Sequence, residues 1–313
     1  MNSDKAISAR QVKTMAGPWL NQNCRNAQVL MNRTLLLAAA AAIYASRCLS
    51  ATLIEDPRTY PTLILHEKGM GSGCFLQLSN SVYLMTAKHV LFADPEGSNA
   101  PALLSPAAVV KSYSRAGTTN VSERTVAMNL AQLLSAGEIR LSTNRDVALV
   151  RMEQCSSNDV RIGSFLPGIA FLSGAGGLQA FGPHFICAAK DVDVGADVFM
   201  FGFPISLTAS IREIFDPAEP LLRKGTVAGV NLGRKTIIID CPSYFGNSGG
   251  PVLQVDQPQF GVTRFQIIGL VTGFVPFEEL WENKTMRYSH VIKSNSGYTG
   301  VEPIDIALDL VWK

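Results

Sequence analysis

One serine is set among glycines in a way that suits nucleophilic chemistry. Ser248 lies in the segment FGNSGGP, residues 245–251, just ahead of an apolar run. Gly246 can adopt backbone angles that a side chain would forbid. The N–H groups of Gly246 and Ser248 can then point together at an attacked carbonyl as an oxyanion hole, where each donor contributes about 3–4 kcal/mol. The alternative is a glycine-rich turn between two strands.

A serine hydroxyl also needs a base to take its proton, usually a histidine that a carboxylate orients. His89 follows a β-rich run at 82–86, and Asp146 precedes the apolar run 147–150. Either residue alone would more often be structural, as a buried histidine or a turn aspartate. Together with Ser248 they supply an imidazole, a carboxylate and a hydroxyl, so we expect them to form one site. The chain has four histidines, His66, His89, His184 and His290.

The segments around these three residues resemble the signatures of the trypsin/chymotrypsin-like serine proteases. They read TAKH at 86–89, DVAL at 146–149 and GNSGGP at 246–251, in that family's order. GSGCFL at 71–76 resembles the glycine-rich strand ahead of the histidine in this family. VFMFGFP at 198–204 and KGTVAG at 224–229 resemble strands of the second barrel in its bacterial, HtrA-like members. The resemblance covers about residues 58–290. Because only 65 residues (313 − 248) follow Ser248, we expect no appended PDZ domain.

This resemblance implies an all-β fold of two six-stranded antiparallel β-barrels, chymotrypsin-like, with the site between them. The barrels would span about 58–166 and 183–300 of a protease domain at 52–313. The implied activity is that of a serine endopeptidase without a cofactor, acting through an acyl-enzyme intermediate. His89 would be the general base, Asp146 would orient its ring, and Gly246 and Ser248 would form the oxyanion hole. Activity should rise from acid toward neutral pH, since the imidazole must be neutral to accept a proton.

The substrate of the implied reaction is a polypeptide. Its pocket would be lined by residues that match the family's, namely Pro242, Ser243, Thr272, Gly273 and Phe274. No acid stands at the base of this pocket, which argues against Lys or Arg before the scissile bond. Phe274, where deep-pocket members have glycine, would narrow the opening. We therefore expect a small or medium apolar residue there.

Two other functions fit parts of the sequence. The segment at 246–250 also satisfies Gly-x-Ser-x-Gly, the nucleophile turn of α/β-hydrolases. An esterase of that fold would use His290 as base, with an acid from among Asp256, Glu278, Glu279 and Glu282, and would leave His89 without a role. The second alternative is a protease-like scaffold that binds proteins and has a latent site.

Composition and patterning agree with a globular β-protein. Of 313 residues, 47% are hydrophobic and 17% charged. Short apolar runs broken by Gly, Pro, Ser and Asn favour an antiparallel barrel or sandwich. Residues 303–312 have apolar positions near helical spacing and predict a short C-terminal helix. The net charge is +2, which gives no support for nucleic-acid binding, and nothing in the sequence indicates an oligomeric state.

The N-terminal extension, residues 1–51, contains an apolar run. LLLAAAAAIYA at 35–45 follows Arg33 and precedes small residues, the layout of a secretory signal peptide. The run is shorter than the roughly 20 apolar residues that span a bilayer. We therefore expect export to the periplasm or beyond. A cytoplasmic protein with an Ala-rich helix, or one anchored to the membrane by this run, is the alternative.

Cysteine usage leaves two interpretations open. The chain has six cysteines, at Cys24, Cys48, Cys74, Cys155, Cys187 and Cys241. Loss of a leader would leave four, which allows two bridges in an exported protein. However, Val90 stands where many extracellular relatives have a cysteine, so buried thiols are the alternative. No Cys-x-x-Cys pair is present, and metal binding has little support.

Overall fold

Antiparallel strands dominate the computed structural model. It describes residues 59–93, 101–116, 120–155, 163–174, 178–205, 215–256 and 264–312, all of which belong to one compact unit. The N-terminal extension at 1–51, with its predicted signal peptide or anchor, lies outside the described residues. No helix within the described ranges is long and apolar enough to cross a bilayer.

A ten-stranded sheet forms the first half. Its main path runs β10-β9-β3-β2-β1-β6-β7-β11, while β12 pairs with β2 and β8 with β9. Strands β4 and β5 form a separate pair. The strand bounds are β1 Pro61–His66, β2 Gly69–Leu78, β3 Ser81–Thr86, β4 Phe92–Ala93, β5 Ala102–Leu103, β6 Ala107–Ala116, β7 Asn120–Asn129, β8 Ile139–Leu141, β9 Ala148–Cys155, β10 Gly163–Phe165, β11 Ile169–Ser173 and β12 Ala180–Phe181.

A closed six-stranded barrel forms the second half, in the order β13-β14-β15-β18-β17-β16. Its strands are β13 Asp197–Gly202, β14 Leu221–Asn231, β15 Thr236–Asp240, β16 Pro251–Asp256, β17 Arg264–Asn283 and β18 Tyr288–Pro303. The described helices are short: α1 Lys88–Leu91, α2 Leu130–Ser135 and α3 Ile304–Trp312, with 3-10 turns at Pro183–Phe185 and Ala189–Asp191.

The all-β prediction and the C-terminal helix are confirmed. The first sheet has ten strands and not the six expected. The four additional strands are short: β8, β10, β11 and β12. Two of these, β11 and β12, continue the sheet beyond residue 166, where the sequence predicted its end. The barrel has the expected six strands.

Two hydrophobic clusters hold these sheets. The larger includes Leu76, Leu84 and Leu149 on neighbouring strands of the first sheet, and helix α3 adds Ile304 to it. The smaller fills the barrel, with Val198, Ile239 and Val252 among its members. Fully burying one such side chain stabilises the fold by about 1.5–3 kcal/mol. The larger cluster also includes residues of barrel strands, such as Phe201 and Leu253, so it packs the first sheet against the barrel.

Candidate active site

His89 is positioned by the turn that follows β3. The helix α1 begins directly after that strand, and its residues Val90 and Leu91 are buried, which fixes the backbone while the imidazole stays half exposed at 50%. Its Nδ1 lies 2.6 Å from Oδ2 of Asp146, and its backbone N–H donates to Oδ1 at 3.0 Å. Both carboxylate oxygens of Asp146 are thus committed to one residue.

The electrostatics at Asp146 favour the charged carboxylate. Burial raises the pKa of Asp146, but the hydrogen bond from the His89 ring, the His89 charge, the His89 N–H and the charge of Lys88 together lower the pKa below its ordinary value. The carboxylate therefore stays ionised at neutral pH. A charged partner at Nδ1 holds that nitrogen protonated and leaves Nε2 as the proton acceptor.

A cation beside Asp146 fixes the loop that carries it. Arg145 donates from Nε to Oε2 of Glu302 at 2.7 Å and from Nη1 to the carbonyl of Arg234 at 2.6 Å. The backbone N–H of Asp146 lies 3.5 Å from the other oxygen of Glu302. The loop before β9 is thereby tied to strands of the barrel. The sequence offered no sign of this link, since Glu302 is 156 residues away.

The loop before Ser248 has the backbone that the glycines predicted. Gly246 has φ = +95°, and a Cβ there would lie 2.2 Å from the Phe203 carbonyl oxygen. The carbonyl of Phe245 accepts from the N–H of Ile205 at 2.8 Å and so is directed away from the site. Among the described residues no acceptor is found for the N–H groups of Gly246 and Ser248. These two N–H groups are the donors that the oxyanion-hole prediction requires.

Ser72 on β2 supports this loop, a role that sequence reasoning missed. Its fully buried hydroxyl donates to the Gly246 carbonyl at 2.6 Å and accepts from the Phe203 N–H at 3.1 Å. Its backbone N–H also donates to the Ser248 carbonyl at 2.8 Å. One residue of the first sheet thus holds the carbonyls of Gly246 and Ser248, the two residues that carry the predicted oxyanion donors. The only available signal was its place in the glycine-rich segment 71–76.

His89 and Ser248 line the same cavity, of about 170 Å³, together with Phe245 and Gly246. The Ser248 hydroxyl donates to the Thr272 carbonyl at 3.2 Å, so it makes no hydrogen bond with the imidazole in this arrangement. Rotation about the Ser248 side chain would be needed to reach His89. The geometry joins His89 to Asp146 directly and brings Ser248 to their cavity, while the catalytic roles of all three stay a prediction.

The structure describes all five residues that were predicted to line the specificity pocket. Ser243 is buried, and its Oγ has no partner among the described atoms. A Cβ on Gly273 would meet nothing within 4 Å, so this position faces open space. The ring of Phe274 packs edge-on against that of Phe245 at 6.3 Å. Pro242 and Thr272 are partly buried, and their role in specificity also stays a prediction.

The histidine required by the esterase alternative lies elsewhere. His290 is exposed on β18 and stacks against Tyr288 at 6.3 Å. Apart from the two-residue pairing of β12 with β2, the strand ladders described are antiparallel, unlike the parallel sheet of an α/β-hydrolase. The described structure therefore does not place His290 as the base of an α/β-hydrolase.

The described cysteines do not build a redox or metal centre. Cys74 and Cys241 are buried and unbridged, and burial raises the pKa of both thiols. The Cys187 thiol donates to the Ala188 carbonyl at 3.7 Å. Within the described part of the chain no group of three or more His, Cys, Asp or Glu residues is arranged to hold a metal ion.

Comparison with known proteins gives a family match. The model of the trypsin-like peptidase domain matches residues 71–262. Among solved structures, Deg5 shares 17% identity over 85% of this chain and 92% of its own, with a TM-score of 0.45.

Two longer structures are also similar. The serine endoprotease from Yersinia pestis shares 14% identity over 81% of this chain and 62% of its own, with a TM-score of 0.38. The HtrA-type protease AlgW with tripeptide shares 13% over 84% and 62%, with a TM-score of 0.43. This chain therefore spans less than two thirds of both proteins. No curated protein matches it significantly.

Proposed function

The chain belongs to the trypsin-like peptidase family, and from this premise we propose that it is a serine endopeptidase. One observation carries the proposal: His89, which is hydrogen-bonded to Asp146, lines the same cavity as Ser248 and Gly246. A base, its orienting carboxylate, a hydroxyl and unengaged N–H donors then lie around one space. Acyl transfer requires this combination of groups.

The reaction would begin when the Ser248 hydroxyl leaves the Thr272 carbonyl and turns to Nε2 of His89. The imidazole takes the hydroxyl proton as Oγ attacks the peptide carbonyl, and the N–H groups of Gly246 and Ser248 receive the oxyanion. The imidazolium then gives that proton to the departing amine, which leaves an acyl ester on Ser248. Water, deprotonated by His89, hydrolyses the ester and restores the hydroxyl.

Labelling with a fluorophosphonate probe tests this proposal, because the probe reacts only with an activated serine. We expect stoichiometric labelling, with the modification located on Ser248 by peptide mass spectrometry. Incubation with a peptide library should then give products cut mainly after small or medium apolar residues. Folded protein that is neither labelled nor active would contradict the proposal.

The second candidate is a binding protein with a latent site. It is favoured by the hydrogen bond from Ser248 to Thr272, which holds the hydroxyl away from the base. Slow labelling that accelerates when a polypeptide is added would indicate this state. Labelling at one rate with or without the polypeptide would count against it.

Replacement of Ser72 with alanine should weaken both the fold and the proposed catalysis. The change leaves the Gly246 carbonyl and the Phe203 N–H buried without their partner, which costs about 1–3 kcal/mol. Thermal unfolding should therefore shift down by several degrees. The loosened loop should also lower kcat about tenfold with little change in KM, since the oxyanion donors act only in the transition state. Steady-state kinetics and calorimetry measure both effects.

Ser81→Ala provides the matched control. Ser81 is also buried but lies at the far end of β3, so its loss should leave kcat unchanged. Equal kcat values for Ser72→Ala and the wild type would show that Ser72 does not position the oxyanion loop.

A further inference from the structure

The last two strands of the barrel continue beyond it as a two-stranded arm. We define the arm as residues 276–295, in which β17 and β18 pair from Pro276↔Asn295 to Asn283↔Tyr288. Every residue from 276 to 293 is exposed. An isolated two-stranded ribbon is only marginally stable in water. The exposed side chains of the arm are therefore accessible to a binding partner, and binding would stabilise the ribbon.

One face of the arm is aromatic. Directly opposed residues in a ladder share a face, and side chains alternate along each strand. The pairs Phe277↔Ser294, Glu279↔Ile292, Trp281↔His290 and Asn283↔Tyr288 therefore form one face, which we call the aromatic face. Its rings are largely uncovered: Phe277 is 54% exposed, Trp281 62% and Tyr288 60%.

The opposite face is different in character. It carries an ion pair between Glu278 and Lys293, with Nζ and Oε1 2.8 Å apart, beside the apolar pair Leu280↔Val291. A buried aromatic side chain removes about 150–250 Å² from water, so three rings more than half exposed leave roughly 300 Å² of apolar surface. A patch of this size on one face of a monomer is commonly functional.

The base of the arm is joined to the proposed catalytic cleft. The Thr272 carbonyl, on the strand that becomes the arm, accepts from Ser248. Phe274, two residues further on, packs against Phe245 at the cavity. On the returning strand, Asn295 donates from Nδ2 to the Ser243 carbonyl at 2.7 Å. A chain held for attack by Ser248 thus lies beside the start of the arm.

A negative charge on the aromatic face indicates which side chains a bound polypeptide would place there. Glu279 lies between Phe277 and Trp281 on β17, and no ion pair to it is formed within the described part of the chain. A Lys or Arg side chain placed there could pair with this carboxylate and lie over the Trp281 ring. Neighbouring rings would accept aromatic or aliphatic side chains.

We propose that the aromatic face binds the polypeptide substrate away from the scissile bond, through aromatic or aliphatic side chains and one Lys or Arg. The inference rests on the proposed endopeptidase function. Phe277 and Trp281 are five and nine residues beyond Thr272, or roughly 17 and 30 Å at about 3.3 Å per residue. An extended substrate has the same rise, so the segment bound lies about five to nine residues from the cleaved bond.

Trp281→Ser and Leu280→Ser form a matched pair for the test. The two side chains are neighbours, are both 62% exposed and point to opposite faces. Trp281→Ser should raise KM at least tenfold for a 20-residue fluorogenic peptide with Phe, Leu and Lys on both sides of its cleaved bond. Neither variant should change KM or kcat for a four-residue substrate. Equal KM values for the two variants on the long peptide would overturn the proposal.

Binding separates this inference from the proposed function. In a Ser248→Ala background, fluorescence anisotropy of the same labelled 20-residue peptide should show binding that Trp281→Ser weakens and Leu280→Ser preserves. That result stands even if the wild type hydrolyses nothing, whereas an unchanged Kd with Trp281→Ser overturns the inference whatever the activity. Light scattering measures the molecular mass of the wild type and of Trp281→Ser. A fall in molecular mass with Trp281→Ser would identify the face as an interface between copies and would also overturn it.

Discussion

Replacement of Ser248 with alanine should lower kcat for peptide hydrolysis by about 10⁶-fold, and His89→Ala should do the same. The two groups act in one proton transfer, because the hydroxyl is a weak nucleophile until the imidazole takes its proton. Removing either abolishes the acyl-enzyme route, so the double variant should lose little more than each single one. A residual acceleration of about 10³–10⁴ over water should remain from the oxyanion donors and substrate binding.

Single-turnover assays with a four-residue fluorogenic substrate measure this loss, and His290→Ala provides the control. His290 is on the arm, far along the ladder from Thr272, and a short substrate does not reach it, so this variant should retain full kcat. Loss of turnover with His290→Ala alone would instead support the esterase alternative. Circular dichroism of each variant establishes that the fold is retained.

The sequence predicted those features of the site that depend on the local conformation of the backbone. Gly246 has φ = +95°, a conformation that favours glycine, and the glycine-rich spelling around Ser248 indicated such a turn. Ser72 and Glu302 could not be assigned in this way. Each acts on a loop more than 150 residues away along the chain, and a serine or glutamate on a strand has many other uses.

The sequence also did not show which strands would lie outside the barrel, and the arm is an example. Residues 277–282 read FEELWE, which does not alternate between polar and apolar residues, and an exposed ribbon and the wall of a barrel would in any case have the same period of two. Segment 123–137 contains the end of a strand and a short helix. Strand β7 ends at Asn129, whose side chain accepts from the Gln132 N–H at 3.0 Å and so caps α2. The neighbours of a strand, and not its period, decide which surface it forms.

Replacement of Asp146 with asparagine should lower kcat about 10⁴-fold while leaving the fold and KM nearly unchanged. Asparagine can still accept from the His89 backbone N–H through its Oδ1. Its amide NH₂ then occupies the place of Oδ2 and donates to Nδ1 of the ring. An imidazole that accepts at Nδ1 must carry its proton on Nε2, and that nitrogen can no longer take the Ser248 proton. The loss therefore comes from the wrong tautomer and not from a displaced side chain.

The pH dependence of the free energy of unfolding provides a second test of Asp146→Asn. The pKa of Asp146 is lowered in the folded state, so its carboxylate stabilises the fold above the unfolded pKa, and this contribution is lost as the pH falls through the folded pKa. Urea titrations from neutral to acid pH should show this decline in the wild type and a smaller one in Asp146→Asn. Asp240→Asn, at an exposed position on β15, should leave both kcat and the pH dependence as they are. If Asp146→Asn keeps wild-type kcat, the carboxylate only holds the loop, and His89 must find its tautomer without it.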